Sequence, residues 1–330
     1  MWDQLVQAVT KAIQRKKEKV NLTRMNITKL PNILTKGAEL FTNVNLAENN
    51  IKDLSNSSLL SLNNLVKLFL MDNSLTSLPD MTSLFSLEIL DLDGNDLGRG
   101  SLEKARLPQS LRQVYMNRNA LSVFPECLLH LTQCEWLYLA HNEFKDMSTC
   151  IPPSLATTAT GTATGTASKK IKTIGLSLSL KRLVLSHNKI TLLPNEIGAL
   201  TNLEELWISQ NNMIELPESL CLLVHLKHLF IDDNKLIKLP EHLSKLINLV
   251  ELDAHSNKLI EVPNLCDIPT AETLNFCDNA ITDLPHWVSC LPSVKYLDYT
   301  QNEIPKAIAN ATLKNLRKTR SPYVVEARFF

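Results

Sequence analysis

Four histidines are the first residues of this chain that invite chemistry. His141 and His187 share one position of a recurring pattern, and His228 and His255 follow later in it, close in sequence to Asp232 and Asp253. Imidazole beside carboxylate is the pairing that both metal binding and acid–base catalysis use. The spacing argues against either, since nothing like His-Glu-x-x-His sets two imidazoles on one helix face. The seven cysteines (Cys127, Cys134, Cys150, Cys221, Cys266, Cys277 and Cys290) are odd in number and scattered, without the paired Cys-x-x-Cys of a zinc site. The run Gly161-Thr-Ala-Thr-Gly165-Thr-Ala-Ser168 has a phosphate loop's composition but lacks the Gly-Lys-Ser/Thr that would hold the phosphate. Gly-x-Ser-x-Gly and kinase signatures are absent too. The expectation is a chain that is not an enzyme, with no catalytic residue, no metal and no cofactor.

What does recur is asparagine. Asn49, Asn73, Asn95, Asn119, Asn142, Asn188, Asn211, Asn234, Asn257, Asn279 and Asn302 each close the pattern L-x-x-L-x-L-x-x-N-x-L, at steps of 24, 22, 24, 23, 46, 23, 23, 23, 22 and 23 residues. An earlier copy has Val20, Leu22 and Ile27 with Met25 in the asparagine place, which makes twelve units. A unit this short cannot bury its own apolar face and must stack on its neighbours, so the period predicts a solenoid. Such a chain stays one domain even at 330 residues. The alternation around Leu229 and Ile231 predicts a short strand with one buried face. Each asparagine stands where strand gives way to loop, and its amide can pair backbone groups that a buried turn leaves without partners. That role is structural.

This pattern is identified as that of the leucine-rich repeats. Eight units carry proline six residues past the ladder position, at Pro31, Pro79, Pro125, Pro194, Pro217, Pro240, Pro263 and Pro285. The resulting L-x-x-L-P, as in Ile214-Glu-Leu216-Pro217, resembles the subgroup of Shoc2-type Ras-associated scaffolds, their plant Ras-group relatives and the LAP scaffold repeats. The resemblance covers residues 20–305 and is carried by core-forming positions. It implies an α/β leucine-rich repeat solenoid: a curved horseshoe of about twelve repeats, a parallel sheet on its concave face, and a helical N-terminal cap. It also implies a partner among small GTPases or phosphatases.

Outside the repeats, residues 1–19 read as an amphipathic helix with Leu5, Val9 and Ile13 on one face and a basic end at Arg15, Lys16, Lys17 and Lys19. It either caps the first repeat or lies on a membrane surface. Residues 306–330 leave the pattern, as a C-terminal cap or a docking tail. The double step from Asn142 to Asn188 holds an Ala/Thr/Gly-rich stretch that cannot build a core, so about 155–177 is expected to be a disordered insertion.

Function in such a surface lies at the outward strand positions, six, four and two residues before each asparagine. Three slots in twelve units are 36 positions, where the chain's 18 aromatics would place about two by chance. Seven stand there: Phe69, Tyr115, Trp136, Tyr138, Trp207, Phe230 and Tyr296. Aromatics on an open face are interface anchors or rings stacked between repeats for stability. The outward slots of the last five units hold Glu205, Asp232, Glu251, Asp253 and Asp298 and no Lys or Arg. With Lys+Arg 34 against Asp+Glu 34 the chain has no net charge, so this is a local field favouring a basic partner segment and repelling nucleic acid.

The expected function is a non-catalytic scaffold binding a protein on its concave face; the alternative is a structural subunit of a large cytoplasmic, ciliary or ribosomal assembly. Scattered cysteines and the absence of an apolar run near the roughly 20 residues of a membrane span point to the cytoplasm. Loop length adds little closure entropy, so deleting 156–173 is expected to leave the melting temperature of the full chain within a few degrees. A large drop would make that stretch a true repeat.

Overall fold

Each repeat supplies a three-residue strand whose central side chain is buried. The structure, a computed structural model, describes residues 2–30, 32–55, 58–100, 102–147, 176, 179–290, 293–319 and 326–329. The insertion expected over 155–177 lies outside them except for Leu176, which is buried. The described residues form two compact units, the first running to Phe144 and taking in residues 176 and 179–180, the second made of 145–147 and Lys181 onward.

In the first unit β1 (Lys19–Asn21), β2 (Asn43–Asn45), β3 (Lys67–Phe69), β4 (Ile89–Asp91), β5 (Gln113–Tyr115) and β6 (Trp136–Tyr138) pair in parallel, in sequence order. In the second, β7 (Arg182–Val184), β8 (Glu205–Trp207), β9 (His228–Phe230), β10 (Glu251–Asp253), β11 (Thr273–Asn275), β12 (Tyr296–Asp298) and β13 (Glu326–Arg328) do the same. Sequential parallel pairing, with a buried central residue in every strand from β1 to β12, is the leucine-rich repeat solenoid. The register places Leu206, Leu229, Leu252, Leu274 and Leu297 in one fully buried row. Short 3-10 turns return the chain on the other side, several directly after a proline, as Glu218–Leu222 after Pro217 and Asn195–Ala199 after Pro194.

The asparagines hold this stack together. Asn234 Oδ1 accepts from Met213 N at 3.0 Å, while its Nδ2 donates to the carbonyls of Ile208 (3.0 Å), Ile231 (3.1 Å) and Asp232 (3.0 Å). One amide thus ties its own strand end to the preceding repeat. Asn49 and Asn211 repeat the arrangement. The residue before each ladder position is left-handed: Glu48, Asp72, Arg118, His141, His187, Gln210, Asp233, Ser256, Asp278 and Gln301 have φ between 50° and 58°. Only Gly94, at φ 65°, escapes the steric cost that a side chain brings there. Histidine is among the residues enriched in this conformation, which gives His141 and His187 a backbone reason for their place. At Asn119 the ladder is interrupted. Its Oδ1 is buried with no hydrogen-bond partner, and its backbone oxygen accepts from Gly98 N at 2.8 Å in the irregular turn Leu97–Arg99.

Both ends differ from the sequence reading in detail. The amphipathic helix α1 (Trp2–Gln14) buries Leu5, Val9 and Ala12 and packs on β1 and the turn Asn32–Gly37, but stops before the basic run. Lys16 is left-handed at φ 50°, with Lys17 N bonded to Ala12 O and Lys16 N to Ile13 O, a Schellman end to the helix. Beyond Pro305, α2 (Lys306–Thr319) leads to β13, which extends the sheet where only a cap or tail was expected. Phe329 is buried there, its ring 6.0 Å from that of Tyr299.

Leu229→Ala is expected to cost about 2–5 kcal/mol by opening a cavity. Asn234→Ala should cost about 1–3 kcal/mol by stranding buried backbone groups. Trp207→Ala, on the open side of the sheet, should cost far less. Denaturant melts of the three variants of the full chain check this, and equal losses would place Trp207 in the core.

Candidate functional site

Because every strand shares one register, side chains at equal slots line up in rows on the solvent side of each sheet. In the first unit Tyr115 and Tyr138 stack with ring centroids 4.6 Å apart and planes 10° from parallel. Trp136 is half-buried beside Gln113 in the register, and Phe69 is half-buried beside Asp91. In the second unit Trp207 and Phe230 lie 4.1 Å apart, tilted by 36°, and His228 lies parallel to Phe230 at 6.3 Å. Trp207 is exposed. Tyr115 with Tyr138 and Trp207 with Phe230 therefore pair across neighbouring repeats. The pairing that stabilises the stack is real, and it leaves an aromatic surface open.

The acidic row is less uniform than its composition. Glu205 is ion-paired with Arg182 and accepts from Trp207 Nε1 at 3.2 Å. Burial alone would raise its carboxyl, but these hydrogen bonds hold it below the usual range. Glu251 Oε2 is 3.1 Å from His228 Nδ1. Asp232 accepts from Ser209 Oγ at 2.5 Å, and burial leaves its carboxyl raised. Asp253 Oδ1 is 2.7 Å from His255 Nδ1. Burial opposes charge on that imidazole, yet Asp253, Asp232 and Asp233 together hold its pKa above the ordinary value.

Asp298 has to be withdrawn from the open surface. It is 5% exposed, accepts from Tyr296 Oη at 2.6 Å and from Thr300 Oγ1 at 2.7 Å, and pairs in register with Arg328 of β13. Arg328 also lies over the Tyr296 ring at 5.8 Å. The added strand covers this end of the row.

Sequence reasoning also missed Asp91 and Asp93, because acids were sought only in the last five units. Both occupy outward slots before Asn95 by the same rule that found the others. Asp91 stands in register between Phe69 and Tyr115, and burial pushes its carboxyl up to about 6. Asp93, also raised by burial, accepts from Asn117 N at 2.7 Å and Asn117 Nδ2 at 2.9 Å. The thiols offer no nucleophile in the core: burial pushes Cys127 and Cys221 to about 11 and Cys134 to about 12. Among the described residues no helix is long and apolar enough to cross a membrane.

A family described as a leucine-rich repeat region matches residues 155–268. Keratocan of Danio rerio is 28% identical over 151 residues, which is 44% of this chain and 43% of keratocan. The match therefore spans less than half the length of that curated relative. Among solved structures, a leucine-rich repeat protein of Leptospira interrogans superposes with a TM-score of 0.61 at 22% identity, over 97% of this chain and 86% of that one. A chain of the Toll–Spatzle complex of Drosophila superposes with a TM-score of 0.69 at 18% identity, over 87% of this chain and 38% of that one. The fold of this chain is that of a leucine-rich repeat protein.

Asp91 supplies a pH test of the first unit. Its folded pKa of about 6 lies above the ordinary 3.8, so its stabilising contribution is complete below 3.8 and is lost as pH rises through about 6. Asp91→Asn keeps an oxygen for Asp93 N and removes the charge. The variant should melt higher than the unmodified chain at pH 7, with the difference vanishing towards pH 4. An unchanged pH profile between pH 4 and 7 would contradict the assignment.

Proposed function

We propose that this leucine-rich repeat chain is a protein-binding module that docks partners on the solvent side of its strands. The observation that carries it is the Trp207–Phe230 pair: two large rings in contact at 4.1 Å, on the side of β8 and β9 away from the core, with Trp207 exposed. Trp and Tyr are the usual anchors of interfaces because they bury much area at low entropic cost. Beside this pair Asp232 and Asp253 carry negative charge that no Lys or Arg ion pair answers among the described residues, which favours a basic segment in the partner. The resemblance of the L-x-x-L-P repeats to Ras-group scaffolds adds a small GTPase or a phosphatase in a signalling assembly as the class to look for first.

A specific feature favours a second reading, a permanent subunit of a large assembly. Ile214, Ile237 and Ile260 are 51%, 45% and 55% exposed at the same position of three successive repeats, three residues past the ladder asparagine. Backbone bonds from Ile237 N to Ile214 O and from Ile260 N to Ile237 O set them in a row. Thr28, Lys52, Thr76, Ser122, Lys145, Thr191 and Thr282 take that position in seven other repeats, and Gly98 and Pro305 in the remaining two. An apolar row in one stretch of a polar position is what a lasting contact would leave. Gel filtration of native extract separates the readings, since a permanent subunit elutes only at very large size.

Replacing Trp207 and Phe230 together by Ala should abolish partner capture from native extract with the fold intact, since such anchors often contribute about 2 kcal/mol or more each. Reversing Asp232, Glu251 and Asp253 to Lys should weaken capture mainly at low salt, because exposed charges are screened within about 10 Å at 0.1 M. Full retention of native partners by both variants would make this face structural.

A further inference from the structure

Asp232, Asp253 and His255 come from neighbouring repeats of the second unit, and a donor atom from each lies within 4.8 Å of the other two. Asp232 and His255 occupy the same slot, two residues before Asn234 and Asn257, and Asp253 ends β10. The register that aligns Phe230 with Asp253 is the one the asparagine ladder holds, so the three are brought together by the hydrogen-bonded frame of the repeat. All three are half-buried. They are shielded from bulk water yet reachable from it.

The charge around them is unbalanced in a way that neighbouring strands are not. Glu205 is answered by Arg182 and Glu204 by Lys227 at 2.7 Å, while Glu251 lies 3.1 Å from His228 Nδ1. Asp232 and Asp253 have one imidazole between them, and Asp233 adds a further negative charge acting on it. No Lys or Arg ion pair reaches either carboxylate among the described residues. A half-buried cluster of this kind is short of positive charge.

We propose that Asp232, Asp253 and His255 form a binding site for a divalent transition-metal ion of the zinc type. Mixed imidazole and carboxylate donors suit such borderline ions, whereas calcium and magnesium prefer oxygen alone. Tetrahedral zinc holds donors at about 2.0–2.2 Å, which sets them roughly 3.4 Å apart; the three donors already lie within 4.8 Å of one another, and the 2.7 Å Asp253–His255 hydrogen bond opens to admit the ion. Three protein donors leave a coordination position for water or for a side chain of a docked partner. Sequence spacing could not show the site, because its ligands meet only through the register of two repeats.

The test uses the full chain, stripped with chelator and titrated with zinc chloride alone by calorimetry, with bound metal counted after gel filtration. It is independent of partner capture, so its outcome does not turn on the proposed protein-binding role. Free thiols also bind zinc; Cys277→Ser, one repeat further along the same slot, and His228→Ala are therefore the controls. Asp253→Asn combined with His255→Ala should weaken binding at the tightest site on the order of tenfold or more, with both controls unchanged. If circular dichroism shows that the double variant does not fold, Asp232→Asn should give the same loss. No zinc binding by the unmodified chain, equal binding by the ligand variants, or a loss confined to Cys277→Ser would each overturn the assignment.

Discussion

One side-chain amide per repeat sets everything else in this molecule. Where a strand of three residues ends, backbone groups turn inward and lose their ladder partners, and leaving them unpaired would cost about 1–3 kcal/mol at each one. Asn234 meets that demand with four hydrogen bonds, one of them from Met213 N of the preceding repeat. The same bonds overdetermine the left-handed residue before it, here Asp233 at φ 50°. Because the amide bonds to its neighbour as well as to itself, repeats cannot slide past one another. Slots become rows.

The rows explain why part of the open face could be read in advance. Alternation around Leu229 and Ile231 specified which side chains point out, and Tyr115, Trp136, Tyr138, Trp207 and Phe230 are found on the open side. What the rows contain as pairs was not legible. The stack of Tyr115 on Tyr138, the ion pair of Arg182 with Glu205 and the meeting of Asp253 with His255 depend on rotamers that spacing leaves free. β13 was missed for a simpler reason: Ala327 stands where every other strand has a larger apolar residue, and α2 stretches the step from Leu297 to Ala327 beyond the usual repeat. That added strand is why Asp298 is buried.

The two units share this frame and differ in what they display. The first presents a stacked tyrosine pair and Asp91, whose burial among aromatic neighbours raises its pKa. The second presents an exposed tryptophan, a compensated pair at Glu205 and an uncompensated group at Asp232, Asp253 and His255. A repeat core explains neither choice, since these side chains face away from it. They differ from repeat to repeat while the core positions stay apolar, which is why the proposed function is placed on them.

Hydroxyl-radical footprinting of the full chain, alone and with the partner it captures from native extract, reads this claim directly. Trp207 and Phe230 should lose reactivity on binding, while the exposed Leu222 and Ile247 on the return segments keep theirs. Unchanged oxidation of Trp207 and Phe230, with protection moved to Leu222 and Ile247, would contradict the account and place recognition on the opposite surface.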